Sequence, residues 1–241
     1  MSVIYDGHNL DELFVCGDPS ITIFDSRVKY DEADNRNGAV VLGRTWGSSA
    51  VVFSIGVHGS AHERRDKFST LAAWLDVDEP KKLVLPDNPE RYYLAIPEGQ
   101  LTPERGIGGE IAQLTFMITD PIAYGKEVEI SVPSGGSIAF VVGGTASTQP
   151  VITAGAIPNS SSHIWGLRLD ERDYVHIDLG DTLTHAVEID CHERIAKISN
   201  AIALPTLDSD WLELIPGEHV LRMDNGTTAG TATVTYVERW Y

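Results

Sequence analysis

Trp211-Leu-Glu-Leu-Ile-Pro-Gly-Glu-His-Val-Leu-Arg-Met-Asp-Asn-Gly226, and then Thr231-Ala-Thr-Val-Thr-Tyr-Val-Glu-Arg-Trp-Tyr241, is the stretch of this 241-residue chain that decides its fold class. Pro216-Gly217 reads as a turn and residues 218–223 as a short strand. Asn225-Gly226 can adopt the positive φ angles of a tight turn, so the spacing predicts a hairpin there. Thr231, Thr233 and Thr235 alternate with Ala232, Val234 and Tyr236, the period of a strand with one buried face. The alternation runs almost to Tyr241, which predicts a closing strand and a β-sandwich for this end of the chain. That ending weakens most enzyme readings.

Working back from it, residues 127–132, 137–142, 150–153, 164–169, 173–179, 184–190 and 193–198 are all strand-like. Their spacing of roughly ten residues suits a sandwich or jelly roll. Asp120-Pro121-Ile-Ala-Tyr-Gly125 breaks the pattern, which predicts a junction between a domain of residues 1–124 and one of residues 125–241. Before the junction, residues 13–16, 21–24, 39–42 and 50–57 are strand candidates, with a polar stretch over 30–37. Gly43-Arg-Thr-Trp-Gly-Ser-Ser49 reads as a glycine-bounded, projecting loop. One helix is expected over 66–75, where Phe68, Leu71, Ala72 and Leu75 share a face, before Pro80. Residues 81–85 and 91–96 should pair around Pro86-Asp87-Asn88-Pro89, with a last strand over 110–119. The expected fold class is mainly β with a single helix.

Composition agrees. Twenty-two glycines and twelve prolines supply turns, and 42% hydrophobic with 22% charged residues suits a soluble globular chain. No run of apolar residues is long enough to span a membrane as a helix. The start, Met-Ser-Val-Ile-Tyr-Asp-Gly7, lacks a basic region followed by an apolar one, so synthesis in the cytoplasm without a secretory signal is expected. The formal charge is −17, with 11 basic and 19 acidic residues before Gly125 and 7 and 16 after it. Neither half is a basic nucleic-acid module, because a field of this sign repels phosphate backbones. The same repulsion would keep DNA from adhering to the wall of an acidic channel. Cys16 and Cys191 sit among strand-like residues and read as two buried free thiols.

Taken in order, the exposed loop, the helix, the Pro86-Asp87 hairpin, the Asp120-Pro121 junction and a sandwich ending Tyr-Val-Glu-Arg-Trp resemble a known family. Lys82-Leu-Val-Leu-Pro-Asp-Asn-Pro-Glu-Arg-Tyr-Tyr93, Val187-Glu-Ile-Asp-Cys-His-Glu-Arg194 and Ser209-Asp-Trp-Leu-Glu-Leu-Ile-Pro-Gly-Glu-His219 are similar to segments of phage distal tail proteins. The resemblance is to those of long, non-contractile tails, from a phage or prophage. It implies an N-terminal, β-barrel-like ring domain over 1–124 that assembles, as a hexamer, at the end of the tail tube. It implies a belt hairpin near residues 39–60 that reaches a neighbouring subunit, and a galectin-like β-sandwich over 125–241. Tail-tube, tape-measure and receptor-binding proteins are the implied partners, and the virion tail tip the implied location. No cofactor is implied. A galectin-like fold does not by itself imply sugar binding.

The candidate sites are modest. His62-Glu63 lacks the second histidine of a zinc helix, and His58 with His62 falls beside Gly56 and Gly59 in what reads as a loop. Cys191-His192-Glu193 places reactive types side by side, but strand neighbours point to opposite faces and cannot converge. Gly106-Ile-Gly-Gly109 lacks the helix of a nucleotide loop, and no nucleophile elbow occurs. No catalytic or metal residue is therefore assigned. Trp46 on the projecting loop is a candidate interface anchor, and Arg44, Val52, Phe53, Arg64 and Arg65 are candidates for the same oligomer interface. Arg64, Arg65 and Lys67 at a helix start oppose the helix dipole, which suits an acidic neighbouring surface. Trp165 and Trp211 are candidate sugar platforms for an alternative role, a carbohydrate-binding module in host attachment; core packing is the bland reading of both.

Overall fold

Alternation of apolar side chains builds two separate cores. The computed structural model describes residues 2–22, 25–32, 37–106, 108–157, 164–170, 173–180, 185–224 and 231–241. The chain divides into two compact units, residues 1–124 with Tyr241, and residues 125–240. In the first, the strands are β1 (Ile4–Tyr5), β2 (His8–Asn9), β3 (Val15–Cys16), β4 (Ser20–Ile21), β5 (Ser26–Glu32), β6 (Ala39–Trp46) and β7 (Ser49–His58). Helix α1 (Ala61–Leu75) follows, then β8 (Lys81–Val84), β9 (Tyr93–Glu98), β10 (Glu104–Gly106) and β11 (Gly109–Ile118).

Nine of these strands form one antiparallel sheet with the path β2-β1-β8-β9-β11-β7-β3, β10 joining β11 and β4 joining β7. β7 and β11 pair along their whole lengths, with Phe53 opposite Leu114 and Val51 opposite Phe116. Val51, Phe53, Ile55 and Val57 alternate inward with Leu114, Phe116 and Ile118, joined by Tyr5, Leu10, Leu71 and Leu83. The β8–β9 hairpin forms around Pro86-Asp87 as its sequence requires, Leu83 facing Tyr93.

Several local expectations need correction. α1 begins at Ala61 rather than at residue 66, because Ser60 caps it: its amide donates to Glu63 Oε2 at 2.7 Å and its hydroxyl accepts from the Glu63 amide at 3.3 Å. This capping box puts Glu63 at the positive end of the helix dipole, so His62 lies on a helix and not in a loop. Residues 43–46 are not a loop either. They complete β6, which pairs with β5 as a two-stranded sheet of its own, Tyr30 facing Val41 and Ser26 facing Trp46. Residues 49–58, read as part of the belt, instead lie inside the large sheet.

The second unit contains β12 (Ala123–Val132), β13 (Ser137–Val142), β14 (Val151–Ile157), β15 (Ile164–Leu169), β16 (Asp173–Asp178), β17 (His185–Asp190), β18 (Ile195–Ile198), β19 (Ala201–Ala203), β20 (Gly217–Asp224) and β21 (Ala232–Trp240). They form a six-stranded sheet, β12-β21-β14-β17-β18-β19, and a four-stranded sheet, β13-β20-β15-β16. Both sheets feed one core, with Ile152, Val187, Ile189 and Val234 from the first and Trp165, Leu167, Val175 and Leu221 from the second. That is a sandwich; most strands fall near the boundaries read from sequence, but β12 begins at Ala123 rather than at residue 127, β14 runs on to Ile157, and β19 was not expected.

The expected Asn225-Gly226 hairpin does not form. β20 pairs with β13 and β15, whereas β21 lies between β12 and β14 in the opposite sheet. Asn225 and Gly226 themselves lie outside the described residues. The alternation read correctly as two strands; the turn dipeptide carries no information about which sheet the second one enters.

Candidate assembly interface

The β5–β6 ribbon is the unusual surface of the first unit. Every residue of β6 is exposed, as are all of β5 except Ser26, although β6 is rich in apolar side chains and β5 adds Val28 and Tyr30. Val28, Tyr30, Val40, Val41, Leu42 and Trp46 all stand open, Val41 at 64%. An isolated two-stranded sheet is marginal in water, since neither face is buried. Arg44 braces this one: its Nε donates to Ser26 Oγ at 2.7 Å and its guanidinium lies over the Trp46 ring at 4.8 Å. Trp46 also stacks on Tyr241, which groups with this unit, at 5.7 Å between centroids. Trp46 is thus half-covered at the ribbon base, and the ribbon's most exposed apolar residues are Val41, Leu42 and Tyr30.

The other residues singled out from sequence scatter. Val52 is half-buried on the sheet face opposite the core, while Phe53 points inward and is buried. Arg64 is committed within its own unit, its Nε 3.2 Å from Glu110 Oε1 on β11 and its Nη1 donating to Gly59 O at 2.5 Å. Arg65, one residue on, points to solvent. Only Arg44 and Trp46 of the predicted set share a surface with the ribbon. β5 was missed because Arg27, Lys29, Asp31 and Glu32 make the segment read as polar, although Val28 and Tyr30 alternate with them.

Neither sugar-platform candidate presents an open indole. Trp165 has no exposed surface in the second unit's core, and its Nε1 has no hydrogen-bond partner among the described residues. Trp211 is half-buried and packs against the same core. Cys191-His192-Glu193 is a turn between β17 and β18, not a strand: Asp190 Oδ1 accepts from the amides of His192 and Glu193, both at 2.9 Å. Burial pushes the Cys191 thiol up to about 12, and burial reinforced by Asp11 does the same to Cys16. Neither is an activated nucleophile. Among the described residues no three His, Cys, Asp or Glu side chains gather as a metal group, and no helix is long and apolar enough to cross a membrane.

One polar network had no sequence signal. Buried His219 on β20 places Nδ1 2.5 Å from Asp170 Oδ2, while Nε2 donates to Ile215 O at 2.6 Å. Asp170 also accepts from the Val220 amide at 2.8 Å. Burial alone would raise the Asp170 carboxyl, but the Val220 amide and the His219 ring outweigh it and hold it below its usual range. Its folded value is therefore lower than its unfolded one, so its stabilisation is present at neutral pH and lost as pH falls through the folded value. Asp170→Asn should cost about 1 kcal/mol at neutral pH, a small figure because the side chain is 41% exposed. Urea titrations should show this difference from the parent shrinking as the pH drops below the carboxylate range.

Comparison with known proteins places both units in one context. Residues 11–116 match a family model described as a phage tail protein RIFT-related domain, and residues 143–240 match one described as a siphovirus-type tail component, C-terminal domain. The distal tail protein of Bacillus phage SPP1 is 26% identical over 230 residues, spanning 89% of this chain and 87% of that protein. The crystal structure of SPP1 Dit, described as a paradigm of the hub adsorption apparatus in phages infecting Gram-positive bacteria, covers 100% of this chain and 99% of its own with a TM-score of 0.81 at 21% identity. The shared architecture thus spans both units.

Proposed function

The chain belongs to the distal tail protein family of siphovirus-type phages, whose members are structural components of the tail tip, and from that premise we propose that it is a non-enzymatic hub. Copies assemble as a ring, six in the family pattern, that continues the tail tube and carries baseplate and receptor-binding components. The 1–124 domain closes the ring, and the galectin-like sandwich that follows offers a surface for other tail components. The hub is made in the bacterial host and resides at the virion tail tip. The even spread of negative charge suits a lumen that lets DNA pass without holding it.

The observation that carries this reading is the β5–β6 ribbon. A two-stranded sheet with Tyr30, Val41 and Leu42 in water lacks a buried face, and a neighbouring copy would supply one. Each large aliphatic side chain so covered contributes about 1.5–3 kcal/mol to association. A sugar-binding role for the second unit draws no support from Trp165 or Trp211, whose rings pack in or against the core.

Native mass spectrometry and light scattering of the whole chain, alone and with the adjoining tail-tube protein, test the hub. A closed ring is expected, and Val41→Asp with Leu42→Asp should weaken its assembly at least ~100-fold. The unfolding midpoint of the monomer should stay in place, because both side chains are exposed. A chain that remains monomeric even with the tube protein would sink the hub; a ring indifferent to both aspartates would remove the ribbon from its interface.

A further inference from the structure

Residues 202–210 of the second unit carry three exposed aliphatic side chains on a hydrogen-bonded segment. Ile202 and Leu204 are 81% and 85% exposed, and Leu207 is fully exposed. A single exposed leucine needs no explanation, but three large aliphatics within six residues do. Nor is the segment loose. Residues 206–209 form a β-turn closed by the Ser209 amide donating to Thr206 O at 3.0 Å. It is strapped along β16: the Thr206 amide donates to His176 O at 2.9 Å, the Asp210 amide to Tyr174 O at 2.8 Å, and the His176 amide to Ser209 Oγ at 2.9 Å. Pro205 bridges to Ile177. Such anchoring fixes the leucines before any partner arrives, which removes most of the ordering cost of binding.

Charge states the partner's chemistry. Asp208 follows Leu207 within the turn, and hydrogen bonds from the Thr206 hydroxyl and its own backbone hold its carboxyl below the usual range. Asp210 follows two residues later. A recess that accepts Leu207 is matched in charge when basic groups stand against Asp208 and Asp210 beside it. A second copy offers few such rims, since its 18 basic residues are outnumbered by 35 acidic ones.

We propose that residues 202–210 are a docking knob for another protein, one that presents an apolar recess rimmed by arginine or lysine. That this partner is another tail protein rests on the hub reading above. Leu207→p-benzoylphenylalanine in the full chain, incorporated while tails assemble in the host, places a photo-crosslinker at the tip of the knob. Mass spectrometry should map the adduct to apolar residues flanked by Arg or Lys on a different tail protein. Asp210→Lys should reduce the adduct at least tenfold, and so should Ile202→Asp with Leu204→Asp, whose exposed positions leave the fold intact. No adduct, an adduct to a second copy, one to a surface without basic groups, or an undiminished yield in both variants overturns the proposal. Light scattering of the same chains separates the two readings: a ring without an adduct removes only the knob, and an adduct without a ring removes only the ring.

Discussion

Trp165→Ala is expected to cost about 3–5 kcal/mol of the second unit's stability, the largest effect of any single substitution in that unit. Trp165 lies on β15 with no exposed surface, and it is the largest of the fully buried side chains. It sits in the core shared by the two sheets, so truncation opens a cavity that both line and neither can fill alone. Trp165→Phe should cost much less than the alanine change. It retains an aromatic ring and removes an indole N–H that has no partner among the described residues. Denaturant unfolding, followed by amide exchange in β15 and β14, checks both. An alanine variant as stable as the parent would mean that Trp165 is not the keystone its burial implies.

Phe116→Ala should be comparably damaging in the first unit, again by about 3–5 kcal/mol. Phe116 has no exposed surface and sits between aromatic neighbours, 4.6 Å from the Tyr5 ring and 6.1 Å from that of Phe53. Through it β1, β7 and β11 share one contact network, and Tyr5 reaches across to donate to Ala95 O at 3.2 Å. Its loss should expose amides of β1 and β7 to exchange before those of the second unit. Phe116→Leu, which retains most of the volume, should recover more than half of the lost stability. An alanine variant whose exchange pattern is unchanged would refute the assignment.

How much of this was legible in the residues can be read from particular elements. β7 and β11 alternate buried and open side chains over ten residues each, and such a period shows in any window of the chain. Most strands of the second unit were legible for the same reason, though not β19, and the β8–β9 hairpin was legible from the turn residues between its two strands. β5 was hidden because four of its seven residues are charged, so the segment reads as polar, although Val28 and Tyr30 alternate with them. The start of α1 was misread for a different cause. Gly59 argued against helix, yet the Ser60–Glu63 pair one step later was the stronger signal.

The candidate site was less legible than the fold. Arg44 and Trp46 were singled out as anchors on a loop, and they lie on a strand whose exposed neighbours Val41 and Leu42 were overlooked. Arg64 was singled out for a charge that pairs with Glu110, forty-six positions away in sequence. Trp165 and Trp211 were read from type alone, and type does not tell a core indole from an open one.

The residues alone, then, determine most of the strands, the apolar face of the helix and the acidic charge balance, because these depend on local periodicity and on summed charge. Placement in the fold assigns β20 and β21 to opposite sheets, leaves the β5–β6 ribbon uncovered, and turns Leu207 outward while Trp165 turns in. The reason is physical. Alternation says only that a strand has an apolar side, whereas the surface that covers this side comes from residues distant in the chain and exists only once the sheets have closed on one another.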